Sequence, residues 1–144
     1  MAQIATNAKT LLNLTITTAL TAQTSTAVDI GPDVLSLAVQ YTFTYGSGGT
    51  TAKFWLQTTL DGGTTWIDIA NWAGTTASET RAFNLSALTA VTTQYTVTDG
   101  TLTDDTAKDG IIGTKLRLKY TTTGTYAGST SMKVTVVPKR TYTN

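Results

Sequence analysis

The chain has 144 residues, a formal net charge of +1 and only 13% charged side chains. It contains no His, no Cys and a single Glu, Glu79. These absences remove Ser–His and Cys–His nucleophilic devices, disulfides and zinc–thiolate sites, and the sparse, balanced charge leaves no basic field to hold nucleic acid.

The length suits one domain with its own core. Thr supplies roughly a quarter of the residues, far above ordinary usage. Thr is β-branched, stiff at χ1 and suited to a pleated surface, and its hydroxyl keeps an outer face wet without adding charge.

In chain order, residues 1–9 form an arm with no periodicity. They lack the apolar core of a signal peptide, and no run approaches the roughly 20 apolar residues of a membrane helix, so the expectation is a soluble protein made in the cytoplasm. Leu12, Leu14 and Ile16 alternate with Asn13, Thr15 and Thr17 as a first strand. Val28 and Ile30 make a second, ended by Gly31 and Pro32. Residues 34–45 give the clearest strand: Leu35, Leu37, Val39, Tyr41, Phe43 and Tyr45 fall on one face and polar or small residues on the other. Residues 46–49 read as a flexible turn, and 53–60 with 65–72 as a β-hairpin. Short strands are predicted over 81–85 and 91–97, with Tyr95 and Val97 on one face of the latter. The stretch 98–110 is acidic and irregular. Leu116, Leu118 and Tyr120 mark another strand, and Met132, Val134 and Val136 the last, ended by Pro138. Lys115, Arg117 and Lys119 share the other face of their strand and read as a solvated outer face.

The resulting division is an arm at 1–9, a domain at 10–138 and a tail at 139–144. Eight to nine strands at this spacing, with no amphipathic helix, linker or repeat, predict an all-β single domain: an antiparallel β-sandwich of jelly-roll or Ig-like type.

The sharpest local motif is Thr59-Leu-Asp61-Gly-Gly63-Thr-Thr65-Trp66. A carboxylate there can accept backbone N–H bonds, Gly63 can take positive φ and Trp66 can clamp the hairpin. The motif resembles the Asp-box of sialidases and other β-rich proteins over these eight residues. That resemblance implies a structural turn and not a catalytic centre.

Strand parity leaves the three Trp residues open. A four-residue hairpin loop puts Ile67 and Ile69 inward and Trp55, Trp66 and Trp72 outward, whereas a three-residue loop turns Trp66 and Trp72 inward. A bulge that buries both Trp66 and Ile69 is the expected compromise. An exposed Trp55 would then be an interface anchor or a sugar-stacking platform, or else pack under a loop.

Asp99, Asp104, Asp105 and Asp109 offer oxygens for a hard cation, but their spacing matches no EF-hand, so they read as a solvated loop with no metal. A glycosidase-style carboxylate pair, such as Asp68 with Glu79, is formally open, although nothing in the sequence brings the two together. With so few general acids or bases, no P-loop and no dinucleotide fingerprint, the chain reads as a non-enzyme with no cofactor.

As a whole the chain resembles accessory structural proteins of tailed-bacteriophage virions. The resemblance rests on the short polar arm, the Thr/Gly/Ala-rich strands, the Thr59–Trp66 hairpin, low charge and the lack of Cys. It implies a capsid decoration (cement) protein located in the virion, made in the host cytoplasm, homo-oligomeric with a trimer favoured, and contacting the major capsid protein or other virion proteins, with neither nucleic acid nor membrane as partner. The arm at 2–10 would order along the shell, and Trp55, Trp72 and Tyr142 are candidate contact residues. Two alternatives stay open: a neck or tail component, and a carbohydrate-binding module that uses Trp55 and Trp72 as stacking platforms.

Overall fold

A computed structural model describes residues 8–140. None of these is helical, and eleven strands follow one another: β1 (Lys9–Thr15), β2 (Leu20–Thr24), β3 (Val28–Asp29), β4 (Val34–Thr44), β5 (Ser47–Gly48), β6 (Thr51–Thr59), β7 (Ile67–Gly74), β8 (Glu79–Ser86), β9 (Lys115–Thr123), β10 (Tyr126–Ala127) and β11 (Ser131–Arg140). All pairings are antiparallel. One sheet has the order β1-β11-β4-β8 and the other β2-β9-β6-β7 with β3 also on β9, while β5 and β10 form a small separate ribbon. The expected all-β, sandwich-like single domain is therefore the observed architecture.

Alternation builds the core. In β4, Leu37, Val39, Tyr41 and Phe43 are buried, and in β11 Met132, Val134 and Val136. From the facing sheet come Phe54, Leu56, Ile69, Trp72, Leu116 and Leu118. The sheets meet through aromatic rings. Phe43 lies 4.9 Å from Trp72 across the sandwich, and within the second sheet Phe54 stacks on its cross-strand partner Tyr120 at 5.5 Å. Each such side chain contributes about 1.5–3 kcal/mol on full burial.

Bulges decide which residues face inward. One between Thr10 and Leu12 lets the consecutive Leu11 and Leu12 both be buried. Another pairs Leu56 with Ala70 but Gln57 with Asp68, so Ile69 is the extra residue of β7. Ile69 and Trp72 therefore both join the core. Trp66 and Ile69 are both buried, as expected from parity, but Trp66 is covered on the outer face by its own hairpin and Arg117 and not through the bulge.

Several expectations are corrected. Residues 91–97 form no strand, because Val91 and Val97 remain exposed and only Tyr95 is partly covered, too little to fix a strand without a partner edge. Residues 46–49 are not merely a turn, since β5 pairs with β10 there. β2 escaped the alternation argument because Leu20 is its only partly covered residue. Strand β1 starts at Lys9, and β11 continues through Pro138 to Arg140. Within β11, Pro138 lies opposite Leu37 of β4.

The connection from β8 to β9, residues 87–114, sets up the rest of the molecule. It returns along the free edge of β7, with Asp68 N donating to Thr98 O at 2.9 Å, Asn71 N to Thr106 O at 2.8 Å and Lys108 N to Ile69 O at 2.8 Å. An isolated bridge joins Ala70 and Ala107. The edge of the second sheet is thereby covered.

Candidate functional site

The densest polar cluster lies where the returning connection crosses the outward face of β6, β7 and β9. Gln57 and Asp68 are cross-strand partners, and Gln57 also faces Arg117. Alternation points all three outward, yet Gln57 and Asp68 are buried because residues 98–102 lie over them. Asp68 accepts hydrogen bonds from Gln57 Nε2 (2.8 Å), Thr98 Oγ1 (2.9 Å) and the backbone N–H groups of Gly100, Thr101 and Leu102 (2.7 to 3.1 Å). One carboxylate therefore satisfies three successive backbone donors, the arrangement in which a buried charge is tolerated.

Asp99 closes the cluster from above. Gln57 Nε2 donates to its Oδ1 at 2.7 Å and Lys119 Nζ at 3.0 Å, while Arg117 Nε donates to Gln57 Oε1 at 2.8 Å. Burial pushes the Asp99 carboxyl up, but the Gln57 amide and the Lys119 and Arg117 cations outweigh it and hold Asp99 below the usual carboxylate range. The basic face expected to be solvated is thus largely covered, with 18% and 19% of the Arg117 and Lys119 side chains exposed.

The three Trp residues occupy three different environments. Trp55 is 7% exposed and lies under the connection, with its Nε1 donating to Leu102 O at 3.0 Å. Trp72, 1% exposed, is in the core. Trp66, 9% exposed, folds back on the hairpin, where its Nε1 donates to Gly63 O at 3.0 Å and the Arg117 guanidinium lies 4.2 Å from its ring. The expectation of Trp55 and Trp72 as surface contact or stacking residues is corrected, because loop and core cover both rings. Tyr142 lies outside the described residues, as does most of the arm.

The Thr59–Trp66 turn has the geometry its sequence implies. Asp61 Oδ1 accepts from Thr65 N (2.8 Å), Thr64 N (3.1 Å) and Thr59 Oγ1 (3.0 Å), and Gly63 N donates to Thr59 Oγ1 at 3.0 Å. Gly62 and Gly63 take φ of 77° and 113°, open to glycine at little cost. The bond from Thr65 N–H, aided by the Thr65 and Thr59 hydroxyls, pulls the Asp61 carboxyl down to about 2 from 3.8. The motif spends its polar groups on itself.

The remaining acidic residues are dispersed. Asp104 pairs with Lys53 at 2.9 Å. Asp105 binds Arg81 and accepts from Ala73 N, and Asp109 accepts from Ser86 N and from Thr89 Oγ1. Among the described residues, no three His, Cys, Asp or Glu side chains are grouped so as to hold a metal ion. Asp68 and Glu79 do not act as a pair, since Asp68 is committed to the connection and Glu79 bridges Arg81 at 2.6 Å.

Two recesses flank the connection. Ala87, Val91, Tyr95, Val97, Gly110 and Ile111 are among the residues lining one of about 570 Å³, where Lys108 Nζ sits 3.8 Å from the Tyr95 ring centre. The other, of about 210 Å³, lies between β4, β7, β8 and residues 105–107. Sequence reasoning missed both, and it missed Asp68 and Gln57 as the anchors of the connection. The only available signal was a polar pair in strands otherwise rich in apolar residues.

Comparison with family models, curated proteins and solved structures yields no match.

Proposed function

We propose that this protein works by surface contact, as a structural component of a tailed-phage virion, and within that class as a capsid decoration protein that self-associates. The observation that carries the contact role is the segment 87–97. Three of the four large apolar side chains exposed among the described residues belong to it: Leu88 at 73%, Val91 at 43% and Val97 at 41%. Val91 and Val97 also line the 570 Å³ recess. Apolar surface gathered beside a concavity is characteristic of protein–protein contact sites. A net charge of +1 puts little repulsion between copies of the chain, so a second copy is the occupant we favour. The commitment of the acidic side chains to internal clamps supports a non-catalytic reading. The virion assignment rests on the resemblance of the arm, the Thr-rich strands and the Thr59–Trp66 hairpin.

Native mass spectrometry tests the contact role. An oligomer, with a trimer favoured, is expected, and Leu88→Asp with Val91→Asp should return it to monomer. A wild-type monomer at high concentration would refute self-association. Co-sedimentation with purified capsids tests the decoration role, and failure to sediment would remove it. Ring-shaped particles in negative stain would favour the neck or tail alternative. Trp55 and Trp72 are too deeply buried to support the carbohydrate-binding alternative.

A further inference from the structure

Four large apolar side chains are exposed among the described residues, and only Leu60, at 64%, lies outside the segment 87–97. Leu60 belongs neither to the buried cluster nor to the partly buried apolar residues packed against it. It stands on the β6–β7 turn, which the bonds of Asp61 and Trp66 hold closed. A turn already ordered in this way loses little freedom when it docks. One exposed leucine is ordinary in itself. What distinguishes Leu60 is its position and the charge beside it.

The turn and the 570 Å³ recess share one end of the sandwich. Gly110, in the recess wall, donates its N–H to Ser86 O at 2.9 Å, and three residues later Gly113 N donates to Thr58 Oγ1 at 2.8 Å, at the base of the turn. Leu60 nevertheless stays in solvent, so it does not fill the recess of its own molecule.

The two surfaces complement each other. Next to Leu60 is Asp61, exposed and ionised at neutral pH because the turn holds its carboxyl near 2. The recess presents apolar walls from Ala87, Val91, Val97 and Ile111, and Lys108 Nζ lies over its Tyr95 ring. The ion pairs among the described residues engage Lys53, Arg81, Arg117 and Lys119, and Lys108 is in none of them. Its sequence neighbour Asp109 is turned to Ser86 N and Thr89 Oγ1. An apolar tip with an anion thus matches an apolar recess with an unpaired cation.

We propose that Leu60 of one copy seats in the 87–97 recess of the next, with Asp61 facing Lys108. This rests on the reading of 87–97 as a self-association surface and names the segment that surface receives. Tip and recess are different surfaces, so the contact is head-to-tail. A closed ring uses each tip and each recess once and leaves none to recruit further copies.

Native mass spectrometry of the full chain tests this, with melting curves to confirm that each variant folds. Leu60→Asp should be monomeric at concentrations at which the wild type assembles. Leu60→Ala, which adds no charge, should weaken association about tenfold. Lys108→Glu sets a carboxylate against Asp61 and should weaken it at least as much. The decisive arm mixes Leu60→Asp, ¹⁵N-labelled to separate the masses, with Val91→Asp. Neither should assemble alone, but together they hold one intact tip and one intact recess and should form a one-to-one pair. A mixture that stays monomeric overturns the proposal. So does normal assembly of Leu60→Asp, which would leave 87–97 as a contact for another part of the neighbouring copy. A monomeric wild type removes the self-association reading and this proposal with it. Capsid binding lost in Val91→Asp but kept in Leu60→Asp would give the recess to a shell protein and overturn the proposal as well.

Discussion

Residues 87–97 and 98–110 are both irregular, adjacent in sequence and part of the same connection, yet the sheet holds them very differently. The second stretch meets β7 through backbone bonds and is anchored by Asp68 from below, by Asn71 and by pairs to Lys53, Arg81 and Lys119. The first is tied at its start by bonds from Ala87 N to Leu35 O and Leu88 N to Ser86 Oγ, has little beyond these except the Thr89–Asp109 bond and the Lys108–Tyr95 contact, and leaves Leu88, Val91 and Val97 in solvent. Irregular backbone is therefore no guide to looseness. What matters is whether a buried side chain reaches up to satisfy the N–H groups of the loop.

The largest effect should come from removing the anchor. Asp68→Ala orphans the N–H groups of Gly100, Thr101 and Leu102 and should cost about 3 kcal/mol in urea unfolding. Amide exchange at 100–102 should then rise to the level of 92–97; unchanged protection would dissolve the contrast between the two stretches. Trp55→Phe, which strips one indole bond from Leu102 O and some packing, should cost about 1–2 kcal/mol.

Asp61→Ala should lower the melting temperature by less than either, and the pH dependence gives the sharper reading. With its folded-state carboxyl near 2 against 3.8 unfolded, Asp61 adds stability that is complete above about pH 4 and disappears as pH falls through 2. Asp61→Asn should flatten that part of the acid limb, and an unchanged limb would assign acid sensitivity elsewhere. Lys53→Ala breaks an exposed pair and should cost under about 1 kcal/mol, shrinking further in high salt. At the small end, Val91→Asp should leave monomer stability within about 0.5 kcal/mol while weakening self-association.

The contrast also marks what could be read from the sequence. Strands with one dry and one wet face, such as β4 and β11, announce themselves by period two, and the Thr59–Trp66 turn is encoded within eight residues. The burial of Trp55 could not be read that way. Both faces of β6 are covered, the second by residues more than forty positions later, so alternation carries no information there. The same cover turns Lys119 and Arg117 from surface charges into clamps. Residues 91–97 mislead for the converse reason: they have the pattern of a strand but no edge to join. Asp68 looks like any polar residue in a strand until the connection folds over it.

The ends of the second sheet bear on whether folded copies of this chain can stack edge to edge. A Thr-rich, weakly charged β protein has little Coulomb repulsion to keep its molecules apart, and a bare ladder would invite endless stacking. At β7 the connection already occupies the ladder. At the far side, β2 is five residues long, loses register between Leu20 and Gln23, and carries Ala22 at a φ of 47°, a poor template for an incoming strand. Dispersion here depends on shape at the two margins of the sheet, so the solubility of the folded protein should vary little with salt, and should fail when residues 98–110 are cut away from the edge they cover.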